Sequence, residues 1–489
     1  MLDKKTIVKS AIWSTAGSWG SQVIGLAVFT ILAIFLGPEA YGLIAMAMAV
    51  IAVSDVLIVG GIADALIQRK QLAREHIDSV FWLLIGLAAC IVALAQICAG
   101  PIANAFGEPR IAELIRWLGI LPVLHALSAV PTALLTRDMR FDLLALRSVL
   151  GLSIGGAVGI GMALNGFGAW SLVGQQLTQQ AIIAAVLWST GRWRPGLRFS
   201  LRHLRELLGF GSQMIGLKLV KLGEQQLVRI IIGASLGPTA LGFFHMGWRL
   251  LDILRSCLLL PLANTAMPAF SKMQSNLPQV RRALHTGARL STLIGFPSFL
   301  GLAAIAPSLI PSVFGEQWAG SIRVTQILAL LGALWSLTHF YGAVMRGLGR
   351  PMMQLAPQIL GFALLSLMLF FFARHGIEAV AWCMLIRALL ILPLTAYLAR
   401  RLTGLQVNKQ YRACLPALVS SVAMAAAVIG WRSAMTGRLS GLMMLASGVL
   451  VGVAVYCACI VVLDRRVARE VIDLGMVALG RRPIAGVDS

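Results

Sequence analysis

Charge is what this chain has least of. Of its 489 residues only 12% are charged, and only 19 are acidic against 41 Lys and Arg. Soluble domains carry about a quarter charged residues. This scarcity, with 58% hydrophobic residues and a mean hydropathy of +0.84, excludes a chain folded around an ordinary aqueous core. Other chemistry is missing too. The seven cysteines form no CxxC pair and the seven histidines do not cluster, which leaves neither a metal site nor a disulfide framework to expect. No GxxxxGK[ST] run is present, which argues against a nucleotide-hydrolysing pump. No cofactor is expected.

What the chain has instead is a series of apolar stretches of about 20 residues, the length that crosses a bilayer core of about 30 Å. They fall near 10–35, 41–65, 79–98, 111–132, 148–164 and 169–189, then near 209–235, 239–262, 290–312, 321–344, 353–373 and 379–398, with a last pair at 413–431 and 440–462. The expected fold class is all-α: a polytopic membrane protein with about 14 transmembrane helices. The start, with Lys4, Lys5 and Lys9, resembles a secretory leader, but the span after it is long and has no convincing small-residue cleavage site, so it reads as a retained first helix.

Alternating the spans across a membrane places 29 of the 41 Lys and Arg on the side of the N-terminus, with 6 on the other side and 6 within spans. Cytoplasmic loops carry such an excess, so both termini are expected in the cytoplasm. The formal charge of +22 is then mostly a topology signal and an attraction to anionic membrane lipids. Nucleic-acid binding does not follow from it.

The two halves repeat. Leu36-Gly37-Pro38-Glu39-Ala40-Tyr41-Gly42 returns 200 residues later as Leu236-Gly237-Pro238-Thr239-Ala240-Leu241-Gly242. Phe106-Gly107-Glu108 returns as Phe314-Gly315-Glu316, and Gly166 and Ala169 match Gly376 and Ala379. An even number of helices per unit puts both units in the same orientation about a pseudo-two-fold axis along the membrane normal. The expected domains are a six-helix lobe with linker at 1–207, a second six-helix lobe at 208–402, an added helix pair at 403–463 and a cytoplasmic tail at 464–489.

The hairpin from Gly209 to Phe270 carries more charge than lipid tolerates. Its first helix holds Lys218, Lys221, Glu224 and Arg229, its second Arg249, Asp252 and Arg255. Each such group costs roughly 2.5–3.5 kcal/mol at a helix centre, so these side chains belong in a protein interior or a wet cavity. The spacing of Lys218, Lys221, Gln225 and Arg229, and of His245, Arg249, Asp252 and Arg255, puts each set along one helix face. One alternative is an internal network, since Asp252 lies one turn from both Arg249 and Arg255 and Glu224 three residues from Lys221. Yet five cations against two carboxylates leave a positive surplus, and buried charge without a partner is costly. An anionic substrate supplies what is missing. At ~1.5 Å per residue Arg229 lies about 10 Å from the outer end of its helix and Lys218 about 27 Å, so the cations form a ladder rather than a point. The alternative for Lys218 is snorkelling to the surface.

Among the remaining candidates, Asp55 is the better of two carboxylates in the second span for responding to a coupling ion or pairing with a second-lobe arginine, with Asp64 nearer the interface. His125 and His339 read as packing residues. Trp13, Trp19, Trp82, Trp117, Trp170, Trp188, Trp193 and Trp318 read as interfacial anchors. The segment 191–207, with five arginines, reads as an amphipathic linker lying on the inner leaflet.

Several runs carry a family resemblance. Arg249 to Ser271 (RLLDILRSCLLLPLANTAMPAFS), Phe296-Pro297, Phe314-Gly315-Glu316-Gln317-Trp318 and Arg346-Gly347-Leu348-Gly349-Arg350 resemble the polysaccharide transporter family, as do Leu135-Thr136-Arg137-Asp138-Met139-Arg140-Phe141 and Gly166-Phe167-Gly168-Ala169-Trp170. The resemblance covers about residues 8–400 and is to the Wzx-type flippases, in the superfamily that also holds the multidrug and toxic-compound extruders. It implies a bacterial inner-membrane transporter, not an enzyme. The substrate implied is an undecaprenyl-pyrophosphate-linked oligosaccharide repeat unit, moved for exopolysaccharide, capsule or O-antigen synthesis, with polysaccharide polymerase and chain-length machinery as further partners. Val228 stands where many relatives carry an acid before the arginine of the seventh helix. A pyrophosphate suits Arg and Lys donors, so Lys218, Lys221, Arg229, Arg249 and Arg255 are the expected headgroup site, with Arg387 in the twelfth span a further candidate. The alternatives are an extruder, whose cavity should carry carboxylates for cations, and a membrane polysaccharide polymerase, which needs a larger outer loop than the dozen or so residues near 100–110.

Overall fold

A computed structural model describes residues 4–58, 66, 69, 72–191 and 193–463. The described residues form helices joined by short turns, with no strand among them. In chain order they are α1 (Lys4–Phe35), α2 (Pro38–Ile58), α3 (Arg74–Phe106), α4 (Ile111–Leu118), α5 (Leu121–Arg137), α6 (Phe141–Leu164), α7 (Trp170–Thr190) and α8 (Leu201–Leu254). A π-helical turn at Arg255–Leu259 leads to α9 (Leu260–Lys272), then α10 (Leu277–Phe314), α11 (Ile322–Gly347), α12 (Leu355–Phe372), α13 (Ile377–Thr403), α14 (Val407–Met435) and α15 (Gly441–Leu463).

Ten helical stretches among the described residues are long and apolar enough to cross a membrane, and Trp19–Phe35 and Pro38–Ala52 are shorter apolar helices. The expected fourteen differ from these for physical reasons. Leu222–Leu262 is one continuous stretch of 41 residues, about 60 Å at helical rise and twice the hydrocarbon thickness. Gly237 (φ 82°, ψ 179°) breaks it into two, in a conformation that glycine adopts at little cost. Four glutamines on α7 (Gln175, Gln176, Gln179 and Gln180) dilute a helix that is otherwise long enough.

Two compact units emerge from the packing, residues 1–245 with 366–380, and residues 246–365 with 381–489. In the first, Val80, Phe81, Leu84, Ala126, Val130 and Ala133 form a buried cluster. In the second, Phe270, Leu284, Phe340, Val344, Ala396 and Ala399 do the same. Because lipid tails are as apolar as leucine, helices in a bilayer associate through close fit and small residues. Gly151, Gly155 and Gly159 of α6 meet Gln175, Gln179 and Ile183 of α7 at distances that a Cβ would violate.

The repeated heptapeptides pack on each other within the first unit. A Cβ on Gly42 would fall 1.7 Å from the Pro238 carbonyl oxygen, and one on Gly242 would fall 1.8 Å from that of Pro38. Each glycine thus admits the other copy's proline carbonyl, a reciprocity that only a local two-fold relation produces. The other repeated glycines also correspond: Gly107 and Gly315 (φ 66° and 97°), and Gly166 and Gly376 (φ 77° and 112°), all take positive φ. In the turn after α3, Arg110 donates to Glu108 and to Glu39 at 2.6 Å each, clamping the turn to the start of α2. Arg110 holds the Glu108 carboxyl below its usual range.

The span expected at 111–132 is found as the apolar stretch Ile111–Arg137, with a turn at Gly119-Ile120 between α4 and α5 ahead of Pro122. Three expectations are corrected. Trp318 is no anchor at an interface: it is fully buried, because the 3₁₀ turn at Glu316–Ser321 folds it inward. Arg147, just ahead of the span expected at 148–164, lies within a helix and not in a loop, since α6 begins at Phe141. The linker does not lie free on a leaflet as an amphipathic segment. Residues 193–200 are strapped along the start of α3, where Trp193 Nε1 donates to the buried Asp78 (3.2 Å), Trp82 Nε1 to the Gly196 carbonyl (2.8 Å) and the Ser200 amide to Ser79 Oγ (2.9 Å). Its aromatic residue has a better partner than lipid in Phe81, with ring centroids 5.4 Å apart. Glu206 completes the strap, accepting from Arg69 and lying 3.4 Å from His76 Nε2, whose ring stacks edge-on against His203.

The glycine seats and the strap can each be tested. Gly42→Val or Gly242→Val forces two backbones apart and is expected to cost about 3 kcal/mol, the upper end for overpacking. Gly86→Ala, where a Cβ meets nothing within 4 Å, is expected to be neutral or stabilising; thermal unfolding in detergent distinguishes them. For the strap, hydrogen bonds from Arg69 and then His76 depress the Glu206 carboxyl pKa. A folded value below the unfolded one means the contribution is full above the ordinary carboxylate range and is lost as pH falls through the depressed value. Amide exchange over residues 193–206 is therefore expected to quicken at acid pH beyond the intrinsic rate, and Glu206→Gln to show that loosening already at pH 7.

Candidate functional site

The charged hairpin is now α8 with its continuation through the π turn into α9. Gly237 ends the first arm and Pro238 opens the second at its first turn, where a missing N–H costs nothing. The second arm widens to a π turn at Arg255–Leu259, just ahead of Pro261. A proline removes the donor and crowds the carbonyl one turn back, and local widening of the ladder relieves that.

Asp252 and Arg255 lie one turn apart, and the guanidinium donates to Asp252 Oδ1 through Nη2 (2.7 Å) and Nε (3.1 Å). The same guanidinium sits 5.7 Å above the Trp335 ring, which in turn meets Trp248 edge-on at 5.9 Å. Asp252 is thereby committed to Arg255, and a cation–aromatic contact fixes the pair. One turn earlier on the same arm, Arg249 is half-buried. On the first arm Arg229 is half-buried and donates to Oε1 of the buried Gln226 at 3.3 Å, with Glu224 half-buried a turn and a half earlier. Val228, in the position where relatives carry an acid, is buried. The side chains of Lys218, Lys221 and Asp55 lie outside the described residues, as does Asp64.

Arg387 stands in the second unit on α13, half-buried, where Gly361 of α12 makes room for it: a Cβ there would lie 3.2 Å from Nη1. It lines a separate cavity with His339, a residue whose sequence context points only to packing. Sequence reasoning misses Arg147 as a site residue altogether. Half-buried on α6, it donates to Thr132 Oγ1 and lines a cavity of about 470 Å³ with Gly17, Ser21, Gln22 and Ser148. No group of three or more potential metal ligands occurs among the described residues.

Asp252 is engaged by Arg255, while Arg229 on the first arm and Arg249 on the second are each half-buried. Arginine offers paired N–H donors whose fork matches phosphate oxygens.

The chain is 24% identical over 492 residues to the succinoglycan biosynthesis transport protein ExoT of Rhizobium meliloti (strain 1021), covering 99% of this chain and 98% of that one. It is 25% identical to the lipopolysaccharide biosynthesis protein WzxC of Escherichia coli (strain K12), over 71% of each chain. Among solved structures it is similar to the lipid II flippase MurJ in an inward closed conformation, with a TM-score of 0.78 at 13% identity over 93% of this chain and 99% of that one. A multidrug-resistance MATE transporter in an inward-facing conformation matches with a TM-score of 0.65 at 16% identity, over 78% and 95%. The two solved structures share this chain's fold. The family model described as polysaccharide biosynthesis protein matches residues 31–323, well over half the chain, and the protein therefore belongs to that family.

Proposed function

We propose that this protein is a flippase that carries lipid-linked oligosaccharide repeat units across a bacterial inner membrane for exopolysaccharide, capsule or O-antigen synthesis. The observation that carries the reading is the hairpin of α8: half-buried Arg229 and Arg249 within apolar helices, with Asp252 already engaged by Arg255. Full-length likeness to a succinoglycan transport protein supports the same cargo class. The pyrophosphate is held by Arg229, Arg249 and Arg255 together with Lys218 and Lys221, while the lipid tail stays in the bilayer. Asp55 and Glu224 are the carboxylates assigned to a coupling ion.

The repeat units, six helices each at 1–207 and 208–402, rock between inward and outward openings. Both termini face the cytoplasm, where the arginine-rich tail 464–489 gathers anionic lipid. Polymerase and chain-length machinery receive the product on the far side. A multidrug extruder shares the fold, but its cationic substrates require a carboxylate-lined path, and the charge at this hairpin has the opposite sign.

In a polymer-export strain lacking its own flippase, Arg249→Ala is expected to abolish export with membrane insertion intact. Arg255→Ala is expected to abolish it as well, and to leave Asp252 an unmatched carboxylate; Arg255→Ala with Asp252→Asn relieves that charge but not the loss of export. Full polymer output from correctly inserted Arg249→Ala and Arg255→Ala double variants overturns the assignment.

A further inference from the structure

A cavity of about 320 Å³ lies in the second compact unit, among α11, the turn at Pro351–Gln354, α12 and α13. It begins at Arg346, where α11 ends, and reaches Trp335, eleven residues and about 17 Å further into the helix. Its described lining includes two cations, Arg346 and Arg387, and no carboxylate.

Several contacts fix the donors. Gln354 donates to the Gly342 carbonyl and accepts from Arg346 Nη1 at 3.2 Å, so its amide is spent on holding the arginine in place. Gly342 permits that contact, since a Cβ there would fall 2.5 Å from Gln354 Nε2. Thr338 and Thr395 turn their hydroxyls back onto carbonyls of their own helices and form plain walls. His339 differs: its Nε2 is buried and has no hydrogen-bond partner among the described residues. A buried ring nitrogen in that state costs free energy unless something in the cavity meets it. Arg346, Arg387, Gln358 and His339 are thus the groups that address an occupant.

We propose that this cavity is a second anion site, taking a phosphoryl group, with Arg346 and Arg387 as its charged donors and His339 and Gln358 as its neutral ones. It is distinct from the residues of the α8 hairpin and uses none of them. The phosphoryl group arrives either on a lipid, entering where α11 meets the membrane surface, or free in solution. The site stands on its own lining and does not require the transport reading.

The test uses wild-type protein in nanodiscs of zwitterionic lipid, treated with the arginine-specific reagent phenylglyoxal and mapped by peptide mass spectrometry. Inorganic pyrophosphate and a polyprenyl pyrophosphate are the two probes. Protection of Arg346 and Arg387 by either, with Arg323 at the other end of α11 unprotected, is the expected result. Protection by both probes supports a site open to soluble anions, and protection by the lipid alone supports a lipid-borne group. Arg387→Gln is expected to raise the concentration for half-protection of Arg346 about tenfold, the share of one charge-assisted contact. Modification of Arg346 in the wild-type protein at the same rate with and without either probe overturns the proposal, whatever the variant does. Export that continues while Arg346 goes unprotected removes this site and leaves the transport reading standing, whereas protection without export does the reverse.

Discussion

Every ionised side chain in hydrocarbon must be matched, hydrated or moved to an edge, and that constraint orders this molecule. The described charges obey it in different ways. Arg110 sits at the turn after α3 and bridges Glu39 and Glu108. Arg255 takes Asp252 from its own helix and the face of Trp335. Arg147 turns to the Thr132 hydroxyl and a cavity. Arg229 donates to the Gln226 side chain, and Arg249 is half-buried on the second arm of the same hairpin.

The same constraint explains why glycine carries so much of the packing. With no difference in hydrophobicity between lipid and leucine to drive association, helices must approach closely enough for backbone and side chain to fit. The reciprocal seats of Gly42 on Pro238 and Gly242 on Pro38 are the tightest such approach. They tie the repeat's first hairpins to one another through backbone atoms. The pattern LGPxAxG stands in both halves, and its two copies are each other's partners.

Much of this is legible in the sequence. The apolar spans, the repeat and the charged hairpin are patterns of composition and spacing, and most of them reappear as helices among the described residues. What is not legible depends on partners distant in the chain. Trp318 reads as an anchor by its place near a span end, and only the inward fold of its 3₁₀ turn buries it. The linker's arginines suggest a membrane surface, while Asp78, Ser79 and Phe81, more than a hundred residues earlier, supply a protein one. Arg147 reads as a loop charge because helix starts are hard to place when polar residues precede an apolar run. His339 reads as packing because a lone histidine gives no sign of the cavity beside it.

In the proposed function, cargo selection depends on guanidinium groups at membrane depth favouring a phosphate-bearing lipid. The most direct test compares the affinity of the purified protein for a lipid-linked oligosaccharide pyrophosphate with its affinity for the same lipid and sugar joined without phosphate. A preference of at least about tenfold for the pyrophosphate, lost when Arg229 and Arg249 are both changed to Gln, is the predicted result. Equal affinity for the two, or a preference that survives both substitutions, would contradict it.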